Sequence, residues 1–196
     1  MSRTSRSPRL RNGSPQDADA LIALDSVAAI DPERIMQIGN WLAHGGVHVA
    51  EQDGRVVGYL VMHHHFFGEA FVEMLMVARE RRGHGIGTAL LRHAIARRGR
   101  GKLFTSTHAS NIGMQRLLVA SGFIDSGIVH GLDDGDPELI YRFAEDWSSA
   151  SAARTKKPTH CCAGFLIHHS GRDGRIRTDD PLPPRQMRYQ AALRPD

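Results

Sequence analysis

The residues best suited to chemistry are Arg82-Gly83-His84-Gly85-Ile86-Gly87-Thr88, which follow the apolar run Phe71 to Val77 and precede a helical pattern. Glycine lets a backbone come close to a ligand and turn successive N–H groups toward one point. The start of a helix adds partial positive charge there, so the segment suits a diphosphate. Thr88 can add a hydroxyl, and Arg82 or His84 can shield charge. A second feature is Glu73. Its neighbours by the two-residue strand period are Phe71 and Leu75, so it would be an acid on an apolar strand face. Such a carboxylate is costly unless paired or useful. Solvation near a strand edge, or a salt bridge to an arginine, is the alternative reading.

The loop can be compared with known phosphate cradles. A lysine-type phosphate loop ends in Gly-Lys-Ser/Thr, whereas Gly87-Thr88-Ala89 has no lysine. A dinucleotide fingerprint needs glycines at its first, third and sixth positions and an acid roughly 20 residues on. Here the glycines fall at the first, third and fifth, and the later stretch is Lys102-Leu103-Phe104-Thr105-Ser106-Thr107. Neither pattern fits.

The elements that must position this loop follow from periodicity and punctuation. Pro8 to Arg11 reads as a short strand. Ser14 as N-cap, Pro15 at the first position and Asp17 in the first turn open a helix. A second helix is predicted from Asp31-Pro32-Glu33 to about Ala43, ending at Gly45-Gly46. Val47 to Glu51 and Arg55 to Met62 read as strands joined at Asp53-Gly54, a two-residue hairpin turn, with a loop over His63 to Ala70. Strand Phe71 to Val77 follows, then a helix from Ile86 to about Arg98, a strand Leu103 to Thr107 and a helix Asn111 to Ala120. Phe123 to Val129 and Glu138 to Phe143 are the last strands. This order describes an α/β (α+β) domain with a mixed, mostly antiparallel sheet and helices on both faces.

Arg82-x-x-Gly85-x-Gly87 after its strand, with Asn111 and Gly122-Phe123 downstream, resembles the signature of the GNAT N-acetyltransferase superfamily over about residues 7–145. The resemblance implies a splayed sheet and acetyl-CoA as co-substrate. Backbone groups around Met76, Val77 and Ala78 would then meet the pantetheine and the thioester carbonyl. Arg82, Gly83, His84, Gly85, Ile86, Gly87 and Thr88 would hold the pyrophosphate, and Asn111 would open the helix beside the pantetheine arm. The reaction implied is acetyl transfer to a primary amine of a small molecule or protein. Glu73 is the candidate base, since several members carry a glutamate at this strand position and an attacking amine must lose a proton. The family's usual acid, a Tyr about seven positions after the Asn, is replaced by Leu118. Water, another side chain or Tyr141 would then supply the proton; a non-catalytic acyl-CoA-binding module is the alternative. His108 and Ser110 read as cofactor neighbours, although Ser110 also fits a helix N-cap.

His63-His64-His65 does not read as a metal site, because successive strand residues point to opposite faces and no spaced partners complete a ligand set. It reads as substrate-cleft lining or loop solvation. No metal is expected.

Charge is unevenly placed. Residues 148–196 hold 9 Arg/Lys and 4 Asp, while residues 1–147 hold 16 Arg/Lys and 17 Asp/Glu. The basic character therefore belongs to the ends, and the domain offers no broad basic face for nucleic acid. No apolar run approaches the ~20 residues of a membrane span, and no apolar stretch follows the basic start to make a secretory signal. Cys161 and Cys162 are adjacent and suggest neither a disulfide framework nor a zinc site. A cytoplasmic protein, with a homodimer left open, is the expectation. Domain boundaries are set at 1–147 and 148–196, the second part being expected disordered. Arg175 to Thr178, and then Arg188 to Pro195, can be encoded by sequences that resemble the complement of a tRNA gene's T-arm and D-arm. A reading frame run through an antisense tRNA gene would give a tail without selected function; an ordinary disordered tail is the alternative.

Overall fold

The computed structural model describes residues 7–145. The expectations for the tail, its tRNA-like coding and its two cysteines lie outside the described residues.

The chain begins with strand β1 (Arg9–Asn12) and a 3-10 turn at Pro15–Asp17 that leads into α1 (Ala18–Leu24). Pro15 takes the first position, and the Asp17 carboxylate accepts from both the backbone N–H and the hydroxyl of Ser14, at 2.8 and 2.9 Å. Arg11 grips the same carboxylate with two nitrogens at 2.9 and 2.7 Å and reaches Glu51 with Nε at 3.0 Å. The Arg11 hydrogen bonds are the largest cause holding Asp17 down at a pKa of about 2. This clamp ties the first strand to the first helical turn.

Helix α2 (Pro32–His44) has Asp31 as N-cap, its side chain accepting from Glu33 N, and closes at Gly45 with φ +83°. There follow β2 (Val47–Gln52), β3 (Arg55–Phe66), β4 (Glu69–Val77), a 3-10 turn at Arg79–Arg81, α3 (Ile86–Arg97), β5 (Leu103–His108), α4 (Ile112–Ala120), β6 (Phe123–Val129) and β7 (Glu138–Phe143). The sheet has the order β1-β2-β3-β4-β5-β7-β6, antiparallel except between β4 and β5. The expected fold class is the observed one.

Each face of the sheet has its own core. Leu75, Val77, Ile86, Leu90, Leu91, Leu118 and Phe123 pack together on the α3 and α4 side, and Leu21, Ile38, Trp41, Tyr59, Met74 and Met76 on the α1 and α2 side. The second core contains a polar anchor. The fully buried Tyr59 donates to Asp25 Oδ2 at 2.6 Å, Val27 N donates to Asp25 Oδ1 at 2.8 Å, and Arg34 Nε lies 3.7 Å from the same carboxylate. Arg34 is 3% exposed, so this charge is stabilised by its partners rather than by water. The anchor fixes both helices against β3.

One element differs from expectation. The segment from His63 is strand up to Phe66, and the turn is only Phe67-Gly68, at φ +54° and +80°. The rings of His63, Phe66, Phe71 and Phe104 supply the reason. Phe66 stacks on Phe71 at 4.9 Å and meets Phe104 at 5.2 Å, so a polar-looking histidine run is held extended by aromatic contacts.

Candidate active site

The site begins where two parallel strands part. β4 and β5 pair only at Ala70↔Leu103, Phe71↔Phe104 and Val72↔Thr105. At the last of these, Thr105 Oγ1 donates to the Val72 carbonyl at 2.9 Å. Beyond it, the second half of β4 is paired with β3 alone and the second half of β5 with β7 alone. Backbone groups on the facing edges are thereby left for something other than the sheet. On the β5 wall, the buried Thr107 hydroxyl also has no hydrogen-bond partner among the described residues, a condition that calls for water or a ligand.

Which β4 groups face the opening follows from the ladder. Ala78 N donates to Val57 O at 3.0 Å, and Tyr59 is paired with Met76 and Val61 with Met74 in the same register. In an antiparallel pair, hydrogen-bonded and non-bonded positions alternate. Met74 and Met76 therefore turn their peptide groups to β3, and Leu75 and Val77 turn theirs to the opening. Of the expected trio, Val77 is aimed into the split. The Met76 side chain is 1% exposed in the core under α1 and α2, and Ala78 has both backbone groups engaged, its carbonyl accepting from Arg81 N at 2.8 Å. Leu75 joins Val77, a residue the sequence reading passed over although the two-residue period from Val77 points to it.

The loop lies at the end of that edge. Gly83 and Gly85 adopt φ +76° and +78°, a region that side chains other than glycine's enter only with strain. Gly85 is the N-cap of α3, so the N–H groups of the helix's first turn lack partners inside the helix. Gly87 serves a different purpose: a Cβ there would stand 2.9 Å from Leu117 Cδ2, so its absence lets α3 and α4 approach. Arg82 Nε donates to Val77 O at 3.3 Å and His84 Nδ1 donates to Arg82 O at 2.8 Å, folding the loop onto the strand end.

A cavity of about 530 Å³ connects these parts, lined by Leu75 and Val77 of β4, by Arg82, Gly83, Gly85, Ile86, Gly87 and Thr88, and on α4 by Gly113 and Leu117. Arg81 also lines it. The expected residues Met76, Ala78, His84 and Asn111 are not among its walls. Asn111 is 3% exposed and caps α4, its Oδ1 accepting from Met114 N at 3.1 Å. It holds the N-cap for which Ser110 was an option; Ser110 instead donates to Asp136 with its hydroxyl at 2.6 Å and its N–H at 3.0 Å. Gly113 and Leu117 carried no sequence signal beyond their place one face along α4.

Glu73 sits beside the point of separation. Its side chain is 6% exposed, and its Oε2 lies 2.8 Å from His63 Nε2. The partner is a histidine, not an arginine. The expected period-two alignment with Leu75 is broken, because Val61 pairs with Met74 while Met62 pairs with Val72. Glu73 is thus the extra residue of a bulge, a device that re-aims a side chain. Val72, rather than Glu73, joins Leu75 in the core beneath α3.

The remaining candidates fall elsewhere. His108 Nε2 lies 2.7 Å from Asp133 and 3.5 Å from Glu138, on the β5–β7 wall. Burial is the largest cause pushing the Glu138 carboxyl up. Leu118 is fully buried in the core. Tyr141 is 7% exposed and paired opposite Thr105, and burial pushes its phenol up.

A split parallel pair, a β4 edge without a neighbouring strand and a glycine-rich helix start at its end form one groove, and a helix start of this kind suits an anionic group. The sequence matches the model of the acetyltransferase (GNAT) family over residues 20–123. The fold is similar to a GNAT-family acetyltransferase from Bacillus cereus, at 30% identity, TM-score 0.66, over 70% of this chain and 96% of that one. It is also similar to a ribosomal-protein-alanine N-acetyltransferase from Brucella melitensis, at 26% identity, TM-score 0.56, over 68% of this chain and 98% of that one. No curated protein matches. The chain belongs to the GNAT acetyltransferase family.

Proposed function

We propose that this acetyltransferase moves the acetyl group of acetyl-CoA to a primary amine of a small molecule or protein by direct attack on the thioester. The observation that carries the reading is the opening between β4 and β5, which leads from the Leu75 and Val77 backbone groups to the loop Arg82–Thr88. The pantetheine would run along that edge, and the diphosphate would sit on the α3 N-terminus. A β4 N–H directed at the thioester oxygen would stabilise the oxyanion that forms on attack.

Glu73 is the proposed base, its buried carboxylate beside the apex of the split suiting it to accept the amine's proton. As nitrogen bonds to the carbonyl carbon, that proton passes to Glu73; the carbon–sulfur bond then breaks and CoA leaves as thiolate. A free thiol has a pKa of ~8.5, so the thiolate can leave and take its proton from water. No tyrosine is required at position 118. The Brucella melitensis protein is named for alanine of a ribosomal protein; a free amine on alanine is an α-amine, so α-amino peptides are a sensible part of the search.

The test is calorimetry with acetyl-CoA on the full chain, followed by thiol release against α-amino peptides, lysine derivatives and small alkylamines. Binding with CoA release on at least one amine is expected. Absence of binding would remove the donor assignment; binding without turnover on the panel would remove the amine assignment.

A further inference from the structure

The histidine run is not absorbed by acetyl-CoA binding, and one of its members touches the proposed base. His63 and His65 lie on the same side of β3, with ring centroids 4.9 Å apart and planes 23° from parallel. The other neighbour of the His63 ring is Phe71, at 5.8 Å and 26°. Both partners lie within 26° of parallel to the ring.

Its two nitrogens have distinct partners. His65 N donates to His63 Nδ1 at 3.3 Å. Since Nδ1 accepts, the ring hydrogen resides on Nε2, and Nε2 lies 2.8 Å from Glu73 Oε2. The backbone of His65 thus selects the tautomer that donates to the carboxylate. Glu73 is the extra residue of a bulge with a side chain only 6% exposed, so it has little water to hold or orient it.

We propose that His63 is a positioning residue for acetyl transfer: in its Nε2–H tautomer it holds Glu73 Oε2, leaving Oε1 directed to the incoming amine. This rests on Glu73 being the base. His63 does not itself touch the reacting atoms, and the amine's proton goes to Glu73 as described above. The charge-assisted hydrogen bond fixes one carboxylate rotamer, so its removal lowers turnover without altering donor binding.

Two variants separate the donor nitrogen from the ring. His63→Gln keeps an N–H near the Nε2 position and removes the ring; His63→Phe keeps the ring contacts and removes the N–H. With the panel's fastest amine and saturating acetyl-CoA, His63→Phe is expected to lose about tenfold or more in kcat, the scale of a charged hydrogen bond, with unchanged acetyl-CoA Kd. His63→Gln should stay within about threefold of the parent by the same measure. On a Glu73→Gln background, His63→Phe should add nothing, because it acts through the carboxylate. Nitrogen-15 imidazole spectra of the full chain give an answer that needs no acceptor, with His63 expected in the Nε2–H form.

Full activity in His63→Phe, loss in both variants, or a further multiplicative loss in the double variant would overturn the proposal. So would a His63 ring protonated at Nδ1. If Glu73→Gln itself keeps parental turnover, the base assignment fails. If Glu73→Gln collapses while His63→Phe does not, only the role of His63 fails.

Discussion

The two edges of β4 use one strand in opposite ways. Toward β3 it is closed along Phe71 to Val77, with Met74 and Met76 committed to the ladder and Ala78 extending it to Val57. Toward β5 it closes for only three pairs and then stands open. The same alternation that buries one set of peptide groups delivers Leu75 and Val77 to the opening. Backbone groups can therefore be left available to a ligand by withholding a neighbouring strand. The proposed side-chain chemistry sits at the bulge where Glu73 turns aside.

The largest effect should come from the bulge. Glu73→Gln keeps the shape and removes the proposed proton acceptor, and should lower kcat by about 10²–10⁴-fold, with acetyl-CoA Kd unchanged by calorimetry. Retained turnover would reduce the comparison to backbone alone.

Glycines on the two edges should fail differently. Gly85→Val at the open edge forces a β-branched residue to φ +78°, a strain of about 1–3 kcal/mol set in the loop proposed to hold the diphosphate. A rise of about 10–100-fold in acetyl-CoA Kd is the expected calorimetric result. Gly58→Ala acts on the closed edge, where its Cβ would meet Met76 O at 2.9 Å and Ile86 Cγ2 at 3.2 Å. It should cost about 1–3 kcal/mol of stability in denaturant unfolding, with a smaller change in acetyl-CoA Kd than Gly85→Val. Equal effects on both properties in the two variants would erase the distinction.

How much of this was legible depends on whether side chains or register carried the information. The glycine loop could be read because only glycine tolerates φ +76° and +78° at Gly83 and Gly85. Hairpin, cap and helix residues such as Asp53-Gly54, Asp31 and Pro32 placed the element ends they mark within a residue or two. The parting of β4 from β5 came from family resemblance alone, since no residue in Glu73 to Val77 announces a missing neighbour. The bulge at Glu73 is a matter of register, so period-two reading put the acid on the wrong side of Leu75. The histidines misled for a related reason: their strand is held by Phe66, Phe71 and Phe104 from other parts of the chain. Gly87 matched the motif, yet its closest constraint is Leu117.

A smaller effect concerns the outer part of the closed side, where His48 of β2 meets His93 of α3 at 3.3 Å. Burial first, then His93 and Arg97, lower the His48 pKa to about 4, and burial also lowers that of His93. An unfolded imidazole titrates near ~6.5, so between that pH and 4 the unfolded chain binds more protons. Stability from this pair is therefore present above ~6.5 and is lost as pH falls toward 4. The Tm should drop between pH 7 and 5, and His48→Gln should flatten that drop. An unchanged slope would remove the pair from the account.

The open edge itself is tested most directly by following backbone amides of the nitrogen-15-labelled full chain as acetyl-CoA is added. The account predicts the largest changes at Leu75 and Val77 and through Gly83 to Thr88, with Met74 and Met76 much less affected. Saturable binding that leaves Leu75, Val77 and the loop unmoved would contradict it.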